Sequence, residues 1–267
     1  MRRPRPSRTA SSRLPIVTLT TDFGLTDSYV GEIKGVLLTH CPTARIVDVT
    51  HAIPPQDVLA GSFALDRALR AFPRGTLHVA VVDPGVGSDR KLLLVDIHAQ
   101  HVLCPDNGLI TWPWRRLGRG AKAHELTWPP PAAASPTFHG RDILAPAAAM
   151  LARRPSARSK WIGPARAPIL LPVAPTVDRP RGAEVIHVDH FGNATTNVPA
   201  EALQLPPAAI RLRRKSFGPV RRTYADVADG HPLALIGSSG LLEIAVRNGN
   251  AARALGLQVG DRLTIDY

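Results

Sequence analysis

The chain has 267 residues, 44% of them hydrophobic, and a formal net charge of +12. That length supports one large or two modest domains with a substantial core. No apolar run reaches the ~18 residues of a membrane span, and the basic start, Met1–Arg13, lacks the apolar stretch of a secretory signal.

Residues 1–13 are read as a disordered basic tail. Apolar runs at Ile16–Leu19, Ile46–Val49, Leu77–Val82 and Leu92–Val95 then read as buried strands. Between them, Asp27–His40 and Asp57–Phe72 carry helical apolar spacing, with Asp27 and Asp57 as expected N-caps. A further helix, Ile143–Arg153, follows Gly140-Arg141-Asp142. This alternation predicts an N-terminal α/β domain over residues 14–160, built on a mostly parallel central sheet. A Pro-, Ala- and Arg-rich linker is expected over residues 161–182. Short apolar runs follow at Glu184–Val188, Ile210–Leu212, Leu233–Ile236, Leu242–Val246 and Leu263–Ile265, with one short helix near Asn250–Leu255. They predict a smaller all-β, barrel-like domain over residues 183–267.

The excess positive charge sits in the tail and around Arg211, Arg213, Arg214, Lys215, Arg221 and Arg222. We read it as solvated surface rather than a nucleic-acid face. Cys41 and Cys104 lack metal spacing and are expected to be buried thiols, which suits a reducing cytoplasm.

Carboxylates repeatedly end apolar strands. Asp22 follows Val17–Thr21, Asp83 follows Val79–Val82, and Asp189 follows Val185–Val188. The carboxyl ends of strands line the ligand crevice of open α/β sheets, and a carboxylate there can accept from both hydroxyls of a ribose. Turn capping by the same residues is the alternative. The loop Asp83-Pro84-Gly85-Val86-Gly87 has glycine spacing suited to phosphate, but Arg90 stands where a dinucleotide fingerprint needs its third glycine. Gly85 and Gly87 are therefore expected to make a tight turn presenting Asp83 and Arg90. No His-Glu-x-x-His pattern and no Gly-x-Ser-x-Gly elbow occurs, which argues against a metalloprotease and an α/β-hydrolase. No metal and no cofactor are expected.

Seven motifs stand in order: Thr-Asp-Phe-Gly at 21–24, Asp-Ser-Tyr-Val-Gly at 27–31, Val-Asp-Pro-Gly-Val-Gly at 82–87, Pro-Asp-Asn-Gly at 105–108, Phe-His-Gly-Arg-Asp at 138–142, Asp-His-Phe-Gly-Asn at 189–193, and Leu-Glu-Ile-Ala-Val at 242–246. With them, from Ile16 to Tyr267, the chain resembles the S-adenosyl-L-methionine hydrolases, or hydroxide adenosyltransferases, relatives of fluorinase and chlorinase. The resemblance implies hydrolysis of S-adenosyl-L-methionine to adenosine and methionine. It implies a catalytic set of Asp83, Arg90 and His139. Asp22 falls on the ribose-binding carboxylate, Asp27 near the methionine amino group, and Asn193 on an adenine contact. Asp189 and Ser238 fall on methionine-side contacts, and Glu243 and Val246 in a C-terminal adenine-binding segment. It also implies a homotrimer whose active sites lie between subunits. The halogenases of this family carry tyrosine where Asp83 stands, and fluorinase a serine where Gly140 stands, so the resemblance points to water as nucleophile. A chlorinase-like halogenase, a non-catalytic adenosine or S-adenosylmethionine sensor, and a basic RNA-binding protein are the other readings.

Overall fold

The computed structural model describes residues 14–173, 180–203 and 207–267. The tail read at 1–13 and residues 174–179 of the expected linker lie outside the described residues. The chain divides into two units, Met1–Leu171 and Pro172–Tyr267.

Among the described residues, the first unit holds a seven-stranded sheet in the order β2-β1-β3-β5-β4-β6-β7. Its strands are β1 (Ile16–Thr21), β2 (Arg45–Thr50), β3 (Leu77–Val81), β4 (Leu92–Ile97), β5 (Gln100–Pro105), β6 (Lys122–Leu126) and β7 (Ile162–Arg166). The half β2-β1-β3-β5 is parallel. The half β5-β4-β6-β7 is antiparallel, so the sheet is mixed. The cause is the connection between β4 and β5. His98 and Ala99 turn the chain with φ of 52° and 58°, and two residues cannot make a parallel crossover. Ile162–Arg166, at the start of the expected linker, pairs with β6 as an edge strand. Its Pro164 fits there because an edge strand leaves one row of N–H groups unpaired.

Helices cover both faces. α1 (Tyr29–His40) packs with α4 (Ala145–Arg153), and α2 (Val58–Ala71) packs with α3 (Thr111–Leu117). The period of two in β3 divides its side chains accordingly. Val79 and Val81 join the cluster of Ile33, Leu37 and Ala148, whereas Ala80 and Val82 join that of Leu65, Leu69 and Leu109. Asp57 caps α2 by accepting from the Ala60 N–H at 2.9 Å. Asp27 does not cap α1: the helix starts at Tyr29, after a Ser28 whose hydroxyl donates to Glu32 instead. No helix among the described residues is long and apolar enough to cross a membrane.

Among the described residues, the second unit holds an eight-stranded sheet, β11-β10-β15-β8-β9-β14-β13-β12. Its strands are β8 (Gly182–Val188), β9 (Ala194–Pro199), β10 (Ala209–Leu212), β11 (Lys215–Ser216), β12 (Val220–Arg221), β13 (Pro232–Ile236), β14 (Leu241–Val246) and β15 (Arg262–Asp266). The chain changes partner within β8. Gly182–Glu184 pair with β15, and Val185–Val188 pair with β9 across a register shift. Strands that switch partner through such irregularities turn corners between sheet halves. β11 and β12 remain edges, so the ladder curls without closing. α5 (Ala251–Leu255) begins at Asn250, whose side chain accepts from the Arg253 N–H. Both cysteines are free and buried.

One polar network is sealed in the first sheet. The Thr18 hydroxyl lies 2.7 Å from His78 Nδ1 on the neighbouring strand, and His78 Nε2 lies 2.7 Å from Gln100 Oε1. An amide oxygen only accepts, so His78 donates from Nε2 and accepts at Nδ1 as a neutral ring. Burial holds its pKa down from 6.5 to about 4. The unfolded chain therefore takes up a proton near pH 6.5 that the folded chain refuses until about pH 4. Stability contributed by His78 is present above pH 6.5 and declines as pH falls through that window, by on the order of 3 kcal/mol. Urea unfolding at neutral and mildly acid pH should show this loss in the wild type and a smaller one in His78→Gln.

Candidate active site

In the first sheet the chain runs β1-α1-β2 to one side and β2-α2-β3 to the other, so the strand order reverses between β1 and β3. Open α/β sheets bind ligands outside the carboxyl ends of the strands at such a point. Thr21 pairs with Val81 at the ends of these two strands. Asp22 directly follows Thr21, and Asp83 stands two residues beyond Val81.

Asp83 and Arg90 form a buried pair, their side chains only 6% and 8% exposed. Arg90 Nε donates to Oδ1 at 2.6 Å and to Oδ2 at 2.8 Å, and Nη2 also donates to Oδ2. Arg90 Nη2 lies 3.1 Å from His139 Nδ1. A guanidinium has no acceptor, so His139 accepts at Nδ1 and its ring proton sits on Nε2. Burial, then the Arg90 charge, holds the His139 pKa below its ordinary value. The expected trio is thus one continuous network.

The glycines make this packing possible. Gly87 has φ +83°, and a Cβ there would stand 3.0 Å from the Pro136 carbonyl oxygen. The turn therefore lies against the loop that delivers His139. After His139, a π-helical turn, Gly140–Leu144, leads into α4. A Cβ at Gly140 would meet Ile33 at 3.3 Å and Val81 at 3.5 Å. Edge-to-face contacts among Phe23, Tyr29 and Phe138, with centroids 5.3–6.0 Å apart, join the loop after β1 to this segment. Arg141 ties the same segment to α1, donating to Glu32 at 2.6 Å and to Asp142 at 2.7 Å.

Asp22 Oδ2 accepts from the Gln56 N–H at 2.8 Å, Gln56 having φ of 67°. A network missed in the sequence supports the loop beneath it. Thr21 Oγ1 accepts from the Phe23 N–H and lies 2.8 Å from His51 Nδ1, while the Gly24 N–H donates to the His51 carbonyl. His51 Nε2 lies 3.1 Å from Asp48. Asp27 is exposed on the turn before α1.

The second unit organises the other candidates. Asp189 Oδ1 accepts from the Asn193 N–H at 2.8 Å, and Oδ2 from Asn193 Nδ2 at 3.1 Å. Between them Gly192 has φ +86°, and a Cβ there would collide with Asn250 at 2.2 Å. Glu243 is 7% exposed and accepts from the Tyr224 hydroxyl at 2.7 Å. Burial and this carboxylate raise the Tyr224 pKa. Tyr224 was not legible as a site residue, since only its tertiary placement brings it to Glu243. Ser238 is exposed in the turn between β13 and β14. The Val246 side chain belongs to the apolar core of this unit, and its carbonyl accepts from the Gly249 N–H. Among the described residues, no group of His, Cys, Asp and Glu could hold a metal ion.

Comparison with known proteins addresses the origin of this arrangement. Residues 17–159 match the N-terminal domain of the SAM hydroxide adenosyltransferases, and residues 183–264 match their C-terminal domain. The chain belongs to the SAM hydroxide adenosyltransferase family. It is 42% identical over 261 residues to the (R)-S-adenosyl-L-methionine hydrolase of Salinispora tropica, covering 94% of this chain and 97% of that one. The hydrolase of Thermus thermophilus is also 42% identical, with 90% and 95% covered. A fluorinase from Nocardia brasiliensis is 27% identical, with 94% and 97% covered. The crystal structure of an uncharacterized conserved protein from Thermotoga maritima superposes with a TM-score of 0.84 at 34% identity, covering 94% of this chain and all of that one.

In this adenosyltransferase-family site Arg90 does two jobs with one planar group, gripping both Asp83 oxygens and facing His139. Lysine keeps the charge but not the fork. Arg90→Lys is expected to lower kcat by about 100-fold or more, as misplacement on the ångström scale does. Steady-state kinetics with a melting curve to verify folding measures this.

Proposed function

We propose that this chain hydrolyses S-adenosyl-L-methionine to adenosine and L-methionine. The observation that carries the reading is the Asp83–Arg90–His139 network, with its carboxylate–guanidinium pair buried, at the switch point of the sheet. Support comes from the family and from relatives named (R)-S-adenosyl-L-methionine hydrolase at 32–42% identity, against fluorinases at 26–28%. Asp22 receives the ribose hydroxyls. Asp27, Asp189 and Ser238 serve the methionine side, and Asn193 with the Glu243–Val246 strand the adenine side.

The substrate sulfur is a cationic sulfonium, so its leaving group is a neutral thioether and no acid is needed to expel it. A water oxygen attacks C5′ in line with the sulfur. The C–O bond forms as the C–S bond breaks, the bonding pair stays on sulfur, and the water loses one proton. Placement of that water is the main demand on the protein. Asp83 is the group suited to take the proton. The neutral His139 already carries hydrogen on Nε2, and its Nδ1 faces a guanidinium. His139 orients, and Arg90 holds the carboxylate in place. A carboxylate accepts from the O–H of water and offers a halide no hydrogen.

Incubation with S-adenosyl-L-methionine in ¹⁸O-water and chloride tests the reading. Heavy oxygen is expected in the 5′-hydroxyl of adenosine, with one methionine per adenosine. Chlorinated adenosine, or no product from folded protein, would replace it with a halogenase or a binding protein. The depressed His139 pKa adds a sign: the ring stays neutral as pH falls through 6.5. The acid limb of kcat is therefore expected below pH 6.5, and a limb at or above that value would show an ordinary, charging imidazole.

The candidates divide between the two units, which supports the family-implied homotrimer with each site shared by neighbouring copies. Mixing inactive His139→Ala and Asn193→Ala proteins under subunit exchange should then restore activity. Mixed assemblies without activity would place each site within one chain. The two buried free thiols suit a reducing cytoplasm.

A further inference from the structure

β3 ends at Val81, and the residues after it carry the chemistry. Its ladder with β1 runs to the Thr21–Val81 pair, whereas its ladder with β5 stops at Val79–Leu103. Continued by two residues, that register would set Pro105 beside Val81. Proline has no N–H, so β5 cannot extend the ladder on this side. The Val82 carbonyl, one residue before Asp83, therefore lies beyond both neighbouring ladders in a fully buried stretch. A buried carbonyl without a donor is costly.

The side chain of Asn107 supplies that donor. Its Nδ2 donates to the Val82 carbonyl oxygen at 2.9 Å, and its Oδ1 accepts from the Leu109 N–H at 3.2 Å. In this ladder the His101 N–H donates to the Thr76 carbonyl, so position 107 is the one whose backbone would reach Val82, and the Asn107 side-chain amide takes that place. Val82 is gripped from the helix side too, since a Cβ on Gly61 of α2 would meet it at 2.8 Å. The turn bearing Asn107 is itself anchored. Asp106 accepts from the Ile169 N–H at 2.8 Å, and Leu171 fills the space a Cβ on Gly108 would need, 2.4 Å away.

We infer that Asn107 is a positioning residue for the reaction. It fixes the Val82–Asp83 peptide, and through it the height at which Asp83 meets Arg90 and the attacking water. The inference rests on the hydrolase reading above. It assigns a task to the Pro-Asp-Asn-Gly motif, which contributes none of the groups proposed to touch substrate.

The test is the isosteric Asn107→Asp. The new carboxylate still accepts from the Leu109 N–H, so the turn is kept, but it has no hydrogen for the Val82 carbonyl. Asn107→Ala removes both bonds. The expected result is a fall in kcat of about tenfold to a hundredfold in both variants, with KM within about threefold of wild type. The melting temperature of Asn107→Asp should fall by a few degrees, as expected for a buried carbonyl that has lost its donor, with the fold kept. Wild-type kcat in Asn107→Asp, with any loss confined to Asn107→Ala, would make the residue a turn cap and overturn the inference. Unfolding of Asn107→Asp, or a loss lying in KM, would overturn it equally. Wild-type protein assayed alongside separates the two readings. An inactive wild type sinks the hydrolase reading and this role with it, whereas an active wild type beside an equally active Asn107→Asp sinks only the role of Asn107.

Discussion

A carboxylate and a guanidinium removed from water are expensive to hold, and the Asp83–Arg90 pair is almost wholly removed. Such a pair persists only where the geometry is tight and the remaining lone pairs and protons find partners. Much of the surrounding architecture follows from that constraint. The turn between the two residues must be short enough to fold back, hence the Gly85-Val86-Gly87 sequence. The loop with His139 must come close enough to engage the outer edge of the guanidinium, hence the approach of Pro136 to Gly87 and the packed Gly140. His139 is kept neutral by burial and then by the same charge that it helps to satisfy.

The pair also explains why this site favours a neutral nucleophile. With both carboxylate oxygens facing Arg90, the local charge is close to balanced, and Arg90 is not free to gather an anion. The remaining lone pairs of the carboxylate are acceptors, suited to an O–H and not to a halide. Selection of water then follows from hydrogen-bond polarity.

Much of this was legible in the sequence because strand ends are legible. Apolar runs closed by Asp22, Asp83 and Asp189 mark where β1, β3 and β8 stop, and ligand sites gather there. The order of motifs supplied His139, which lies 49 positions from Arg90 and could not be paired with it by pattern. Other features were opaque for physical reasons. β9, Ala-Thr-Thr-Asn-Val-Pro, carries buried Thr195, Thr196 and Asn197 and so lacks an apolar signature. The hairpin turn at His98–Ala99 uses positive φ without the Asn-Gly or Asp-Gly that announces one. His51 and Tyr224 act through partners 30 and 19 residues away, and nothing in their local sequence shows it. Pro105 and Asn107 were visible as a motif, but their meaning depends on the neighbouring ladder.

The same strands that end in the site are locked together further back. Thr18 and His78 face each other in the β1–β3 register and are joined by a buried hydrogen bond. Asp22 lies four residues beyond Thr18 and Asp83 five beyond His78, about 13–17 Å along the strands. A slip of one residue would break this polar pair and turn every apolar side chain of β3 to the wrong face. The relative height of the two carboxylates is therefore set by a bond between residues that never meet the substrate. A polar group in the core is a poor source of stability, but here it specifies register, which an all-apolar interface between β-branched strands would leave less sharply defined. The buried imidazole belongs to the function of the sheet through geometry alone.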